Sequence, residues 1–288
     1  MDLQDIDIAK HLHEIKKGKE YSQLGFFSKP YRIDIGTEGI VVKVYHPIKK
    51  NSVFLIEAHN KYIADLKRCG INVPDTRILA IEKGIEQELV ILQQAFEKEE
   101  LVRTIFEEKP LETLLQLLSL MYSETIEFWK KKSVNDKIGF HPTIRNYAFR
   151  KGSLFYYDTF PPMGMPQDQL NKIIVQMTPI SDWLKWLKHV VPTRIINKVS
   201  DEYYFVEKTI VGILGSSIRL RPEYAEEFLK FTKGYIERSA LGSKEKKYIL
   251  QKIDSPPKLS LLWRIMRKLT KNVGKPNISF PIKKQIQD

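Results

Sequence analysis

From residue 110 to residue 132 the chain reads PLETLLQLLSLMYSETIEFWKKK, with apolar residues at helical period over most of its circumference. A helix apolar on so many sides has to be enclosed by other elements, so this run demands a helical layer around it. Nothing before it has that character. Residues 21–45 read YSQLGF, then YRIDIG, the turn TEG and IVVKVYHP, rich in β-branched and aromatic residues with glycine at the joints, which predicts three short strands. Val53, Ile56, Ile63 and Leu66 fall near a helical period that Gly70 ends, and TRILAIEKG and ELVILQQAF predict two further strands.

The expected class is therefore α+β, with a β-rich first part carrying one long helix and a mainly helical second part. A short polar helix is expected over residues 6–17. The first lobe spans residues 1–96, and residues 97–109, acidic and basic without apolar periodicity, predict a hinge. The helical lobe covers residues 110–242, with two short strands NYAF and SLFYYD around the turn RKG. Helices are expected at 167–176, 180–190, 201–214 and 222–238, punctuated by Pro179, Pro192, Gly215 and Pro222.

With 42% hydrophobic residues a chain of this length folds by burial alone. The single cysteine, Cys69, rules out an internal disulfide, and with six scattered histidines it gives no zinc spacing. The first twenty residues are acidic and then basic, with no apolar stretch that predicts a leader or a span, so a cytoplasmic protein is expected. Net charge is +12, but residues 243–288 hold 12 Lys or Arg against 3 Asp or Glu. That surplus of +9 leaves only +3 for the first 242 residues. Residues 258–273, KLSLLWRIMRKLTKNV, place Leu262, Ile265, Met266 and Leu269 on one helical face and Arg264, Arg267, Lys268 and Lys271 around the other. Such a helix packs its apolar face on the protein, or docks on an anionic membrane surface or an acidic partner. The chain carries no RNA-binding signature, which makes nucleic acid a minor alternative.

The element order, together with three stations, resembles the protein-kinase-like superfamily, in particular its aminoglycoside and choline kinase branch, over about residues 20–240. The first station is IVVKVY, whose Lys43 is similar to the lysine that reaches the ATP phosphates. The second is IEAHNKYIADLKRCGINVP, which offers Glu57 as the acidic partner of Lys43. The third is HPTIRNYAFRKGSLFYYD, in which Asn146 and Asp158 stand where the family holds Mg2+. The resemblance implies ATP and Mg2+ as cofactors, with Ser28 of GFFSKP and its backbone serving the phosphates. Read from the residues alone, Lys43 is either a solvent-facing strand lysine or one aimed into a cleft, on the same face as Val41 and Tyr45.

The chain departs from the family where an aspartate stands five residues before the metal-binding asparagine: here that position is His141. A second register pairs His141 and Pro142 with the family's His-Pro, and then Gly139 and Ile144 replace the aspartate and asparagine. Asp136 is a nearby carboxylate. A general base contributes about 10² to 10⁴ fold to such a transfer, so its loss slows the reaction without forbidding it. Two functions follow from the resemblance: an ATP- and Mg-dependent phosphotransferase acting on a hydroxyl of a small molecule, with His141 facing the acceptor, or a catalytically weak or inactive pseudokinase serving as an interaction module. Transfer of a nucleotidyl group is a third.

Overall fold

The computed structural model describes residues 8–17, 28–35, 38–45, 52–133, 135–177 and 203–254, and the described chain is α+β. Strands β1 (Ser28–Ile35), β2 (Glu38–Tyr45), β3 (Thr76–Lys83) and β4 (Glu86–Gln94) form an antiparallel sheet in the order β1-β2-β4-β3. Strand alternation divides its residues between two faces. Val42, Val44, Val90 and Leu92 pack with Ile8 and Leu12 of helix α1 (Ile8–Lys17), and Lys16 of that helix pairs with Glu88. Tyr45, Leu89 and Ile91 face the other way, against Leu55 of helix α2 (Ser52–Arg68), Phe160, and Leu170 of helix α5 (Gln167–Met177). β4 is apolar on consecutive residues because both of its faces are covered.

Helix α2 ends in a Schellman turn. The Ile71 N–H donates to the Leu66 carbonyl at 3.0 Å and the Gly70 N–H to the Lys67 carbonyl at 2.9 Å. Gly70 has φ +88, a backbone conformation that favours glycine, whereas the Lys131 Nζ that a Cβ would meet at 2.7 Å is the mobile end of a long side chain. The chain leaving this turn runs along the second, two-stranded sheet of β5 (Tyr147–Arg150) and β6 (Ser153–Tyr156). Asn72 accepts from the Tyr156 N–H at 2.8 Å and its side chain donates to the Leu154 carbonyl at 3.1 Å. The GINVP passage is thus a clamp that fixes the β5–β6 hairpin against α2.

Helix α4 (Leu111–Lys131) is enclosed as its composition demands. Leu114, Leu117, Leu118, Met121 and Tyr122 are buried with Phe106 of helix α3 (Val102–Glu108), Ile210 and Leu214 of α6 (Val206–Leu220), and Phe228 of α7 (Ala225–Arg238). Full burial stabilises each such side chain by about 1.5 to 3 kcal/mol. Tyr62 and Leu66 of α2 belong to this same core, so the helix that covers the sheet is also built into the helical core.

Three boundaries differ from expectation. Residues 97–109 are not an apolar-free hinge: Val102, Ile105 and Phe106 of α3 insert into the main core, and only the stretch around Lys98–Glu100 is a connector. α3 is two turns long, too short for its periodicity to stand out among its charges. The helical part does not stop at residue 242, because α8 (Ser243–Lys252) packs on α6 and α7 and buries Ile249 and Ile253. Gly215 does not end a helix; α6 runs through it to Leu220, since a central helix buried on several sides is held by packing rather than propensity. The strand expected at YSQLGF, the helix at 180–190 and the basic helix at 258–273 lie outside the described residues. Among the described residues no helix is long and apolar enough to cross a membrane.

Candidate functional site

Lys43 sits in the middle of β2, opposite Pro30 on β1 and Ile91 on β4. Alternation turns its side chain off the α1 face and toward the hairpin, as its common face with Tyr45 predicts. There its Nζ donates to the Tyr157 carbonyl at 2.7 Å and lies 5.4 Å from the centre of the Tyr157 ring. Burial lowers the ammonium to about 8, with the nearby Asp158 charge working in the opposite direction.

Glu57 does not meet Lys43. Ser52, Leu55, His59, Tyr62 and Leu66 define the inward face of α2, and Glu57 lies about 200° around the helix from both Leu55 and His59. It is exposed and lines a shallow surface cleft of about 590 Å³ with Val53, Phe54, Glu82 and Ile85. His59 takes the inward place. Its Nε2 and Thr159 Oγ1 are 2.9 Å apart, while its Nδ1 has no partner among the described residues. Burial first, and Lys43 second, push this imidazole down to about 3, so it is neutral near pH 7.

Asn146 ends a tight turn (Ile144–Asn146) that leads into β5. It is buried, its amide donates to the His141 carbonyl at 2.9 Å, and its own carbonyl accepts from the Tyr157 N–H at 3.0 Å. That last bond sets Asn146 beside the segment leaving β6 and brings Asp158 next to it. Asp158 is largely enclosed; burial raises its carboxyl, and Lys43 and then Arg145 oppose the rise. Among the described residues the Asp158 carboxylate makes no hydrogen bond and no ion pair, although two cations sit near enough to move its titration. Asp158 thus lies near enough to Lys43 and Arg145 to feel both charges, with no ion pair closed to either among the described residues.

His141 is half-buried with its ring centre 4.3 Å from that of Tyr203. Burial, then the Arg145 charge, push it down to about 3. The alternative register puts Gly139 and Ile144 at the two family positions. Ile144 is fully buried in the main core, and a Cβ on Gly139 meets the Tyr204 ring at 3.0 Å and Met163 at 3.1 Å. Asp136 pairs with Arg68 at the end of α2 at 2.8 Å, and that hydrogen bond holds its carboxyl below the ordinary range.

Ser28 lies at the first position of β1, not in a loop, and stands across the strand pair from Tyr45, whose phenol its hydroxyl meets. Pro30 is compatible with a strand there because β1 is an edge of the described sheet. The region of GFFSKP before Ser28 lies outside the described residues.

Residues 5–274 match the family of unknown function DUF6206. The chain belongs to that family. No curated protein matches it. The site of this DUF6206 member therefore has to be read from its own chemistry. Among the described residues no cluster of three or more His, Cys, Asp and Glu side chains is arranged to hold a metal ion. Asp158 and the Asn146 Oδ1, neither with a hydrogen-bond partner among the described residues, are the side-chain oxygen donors that these residues offer here. With two cations beside them, this set does not fit an ion bound alone. It fits a divalent ion that arrives with a polyphosphate, whose oxygens complete the coordination.

Sequence reasoning missed two residues here, His59 and Arg145. The first was legible in helical phase, since His59 shares the stripe of Leu55, Tyr62 and Leu66 and Glu57 does not. The second follows Ile144 and precedes Asn146, so its place in the motif marked it, but nothing in the local pattern says that its charge lies near enough to act on Asp158.

Proposed function

We propose that this protein is a protein-kinase-like phosphotransferase that binds ATP with Mg2+ in the gap between β2 and the β5–β6 hairpin and transfers the terminal phosphoryl group to a hydroxyl of a small molecule. The observation that carries the reading is the pair Lys43 and Asp158, brought near each other by separate elements, both largely buried, and not joined in an ion pair among the described residues. Holding opposite charges apart in a low dielectric is costly unless something fits between them. A nucleotide polyphosphate with a divalent ion fits: Lys43 neutralises phosphate charge, and Asp158 with the Asn146 Oδ1 holds the ion, which supplies charge neutralisation on the phosphates.

In the reaction the acceptor oxygen bonds to the terminal phosphorus, the bridging P–O bond breaks, and the nucleoside diphosphate leaves with the electron pair. The hydroxyl proton passes to solvent or to the transferred phosphate. His141 orients the acceptor hydroxyl through a hydrogen bond, because a group pushed down to about 3 is a weak proton acceptor near neutrality. Positioning and charge then account for most of the rate, and transfer is slow. The same property of His141 favours the second reading, a pseudokinase that binds nucleotide and transfers nothing. The basic surplus beyond residue 254 supports contact with an anionic membrane surface or an acidic partner in either case.

Thermal unfolding tests the site. At a hundredfold its dissociation constant a ligand stabilises by about 2.7 kcal/mol, so millimolar ATP with Mg2+ is expected to raise the midpoint of the native protein visibly and that of Asp158→Asn not at all. No shift in the native protein contradicts the proposal. Slow ATP turnover separates the first reading from the second.

A further inference from the structure

Arg145 occupies the middle of the turn between His141 and Asn146, and its backbone is pinned because its carbonyl accepts from the Tyr157 hydroxyl. Its side chain is half-buried yet makes no hydrogen bond or ion pair with any described residue. A guanidinium cannot escape burial by releasing its proton, so its charge has to be matched. The groups that act on it are Asp158, Tyr157 and Tyr203, which favour the charge, and Arg103 of α3, which opposes it. Arg103 has its own counter-ion, Glu107, at 2.8 Å. Among the described residues Asp158 is thus the one carboxylate acting on both Lys43 and Arg145, so these two cations share a single counter-charge there.

Lys43 and Arg145 come from different elements, strand β2 and the turn before β5, and both contact Tyr157, the lysine through its side chain and the arginine through its carbonyl. The lysine is already engaged with the Tyr157 carbonyl, whereas the planar fork of the arginine is free to take two oxygens of one phosphate. We propose that Arg145 is a direct phosphate ligand at this gap, so that polyphosphate binding has a large part that needs no divalent ion. The inference rests on the reading of the gap as a polyphosphate site, and goes beyond it by assigning to a side chain a share of the charge neutralisation that a second metal ion otherwise supplies.

The test is calorimetric binding of ATP and of inorganic tripolyphosphate to the full chain, each in Mg2+ and in EDTA, for the native protein, Arg145→Gln and Arg145→Lys. The native protein is expected to bind ATP in EDTA within about tenfold of its affinity in Mg2+, and Arg145→Gln to lose about tenfold or more of that EDTA affinity. Arg145→Lys falls between them, since it keeps the charge and loses the fork. The unliganded Arg145→Gln protein is expected to melt no lower than the native one, because an unmatched charge has been removed; this separates lost binding from lost folding. Native protein that binds Mg-ATP but nothing in EDTA, or Arg145→Gln that binds as the native protein does, overturns the inference and leaves the site reading standing. Native protein that binds neither anion under either condition brings down the site reading itself.

Discussion

Two carboxyl groups flank the β5–β6 hairpin, and burial raises both, but the protein treats them differently. Glu124 on α4 is pushed up to about 7 and accepts a hydrogen bond from the Tyr147 hydroxyl at the start of β5, a contact that lowers it in part. Its surroundings are closed by local partners. Asp158, just past the end of β6, has no hydrogen-bonding partner among the described residues and stands between cations that do not reach it. The Glu124 side is a packing solution, in which a polar group is accommodated by the nearest hydroxyl. The Asp158 side keeps three charges apart at a cost in stability, as expected of residues arranged for something that arrives from outside.

The sharpest break between the two is ligand response. Asp158→Asn is expected to abolish the midpoint rise given by ATP with Mg2+, whereas Glu124→Gln leaves it within error of the native rise. If both substitutions reduce it equally, the distinction fails.

The next effect is a pH dependence of opposite sign on the two sides. His59 and His141 are both held near 3 in the folded chain, against about 6.5 unfolded, so the unfolded state binds more protons between those values. Their contribution is fully present above pH 6.5 and is lost as pH falls toward 3. Glu124 is raised, so its contribution is present below about pH 4.5 and is lost as pH rises toward 7. Denaturant unfolding across pH 4.5 to 7 is expected to show a shallower acid-side loss for His59→Leu and a steeper one for Glu124→Gln. The reverse slopes contradict the assignment of neutral histidines to the gap. The smallest effect is Tyr147→Phe, which removes the hydroxyl that caps Glu124 and is expected to cost about 1 kcal/mol with no change in nucleotide response.

Much of the frame was legible because it rests on periodicity. The run at residues 110–132 announced a buried helix, and alternation in IVVKVY put Lys43 on the face with Tyr45. Gly70 marked the end of α2, since only a residue free to take positive φ closes that turn. What escaped depends on distant partners. Glu57 was the acidic residue nearest the motif position, but helical phase, which the packing of Leu55 and Tyr62 sets, turns it outward and His59 inward. Asp136 was close in sequence to His141 and yet is drawn off by Arg68. Residues 98–108 hid a core helix because two turns with three buried apolar side chains give no resolvable period among four glutamates.

The central claim is that Lys43 lines a ligand-accepting gap, and its reactivity tests this most directly. An amine held near 8 is about half neutral at pH 8, whereas lysines at the ordinary value near 10.4 are almost wholly protonated. Treating the native protein with limiting acylating reagent at that pH and mapping the modified peptides is expected to show preferential labelling at Lys43, suppressed by millimolar ATP with Mg2+. Labelling at Lys43 that ATP leaves unchanged, or labelling spread over surface lysines with Lys43 spared, contradicts the account.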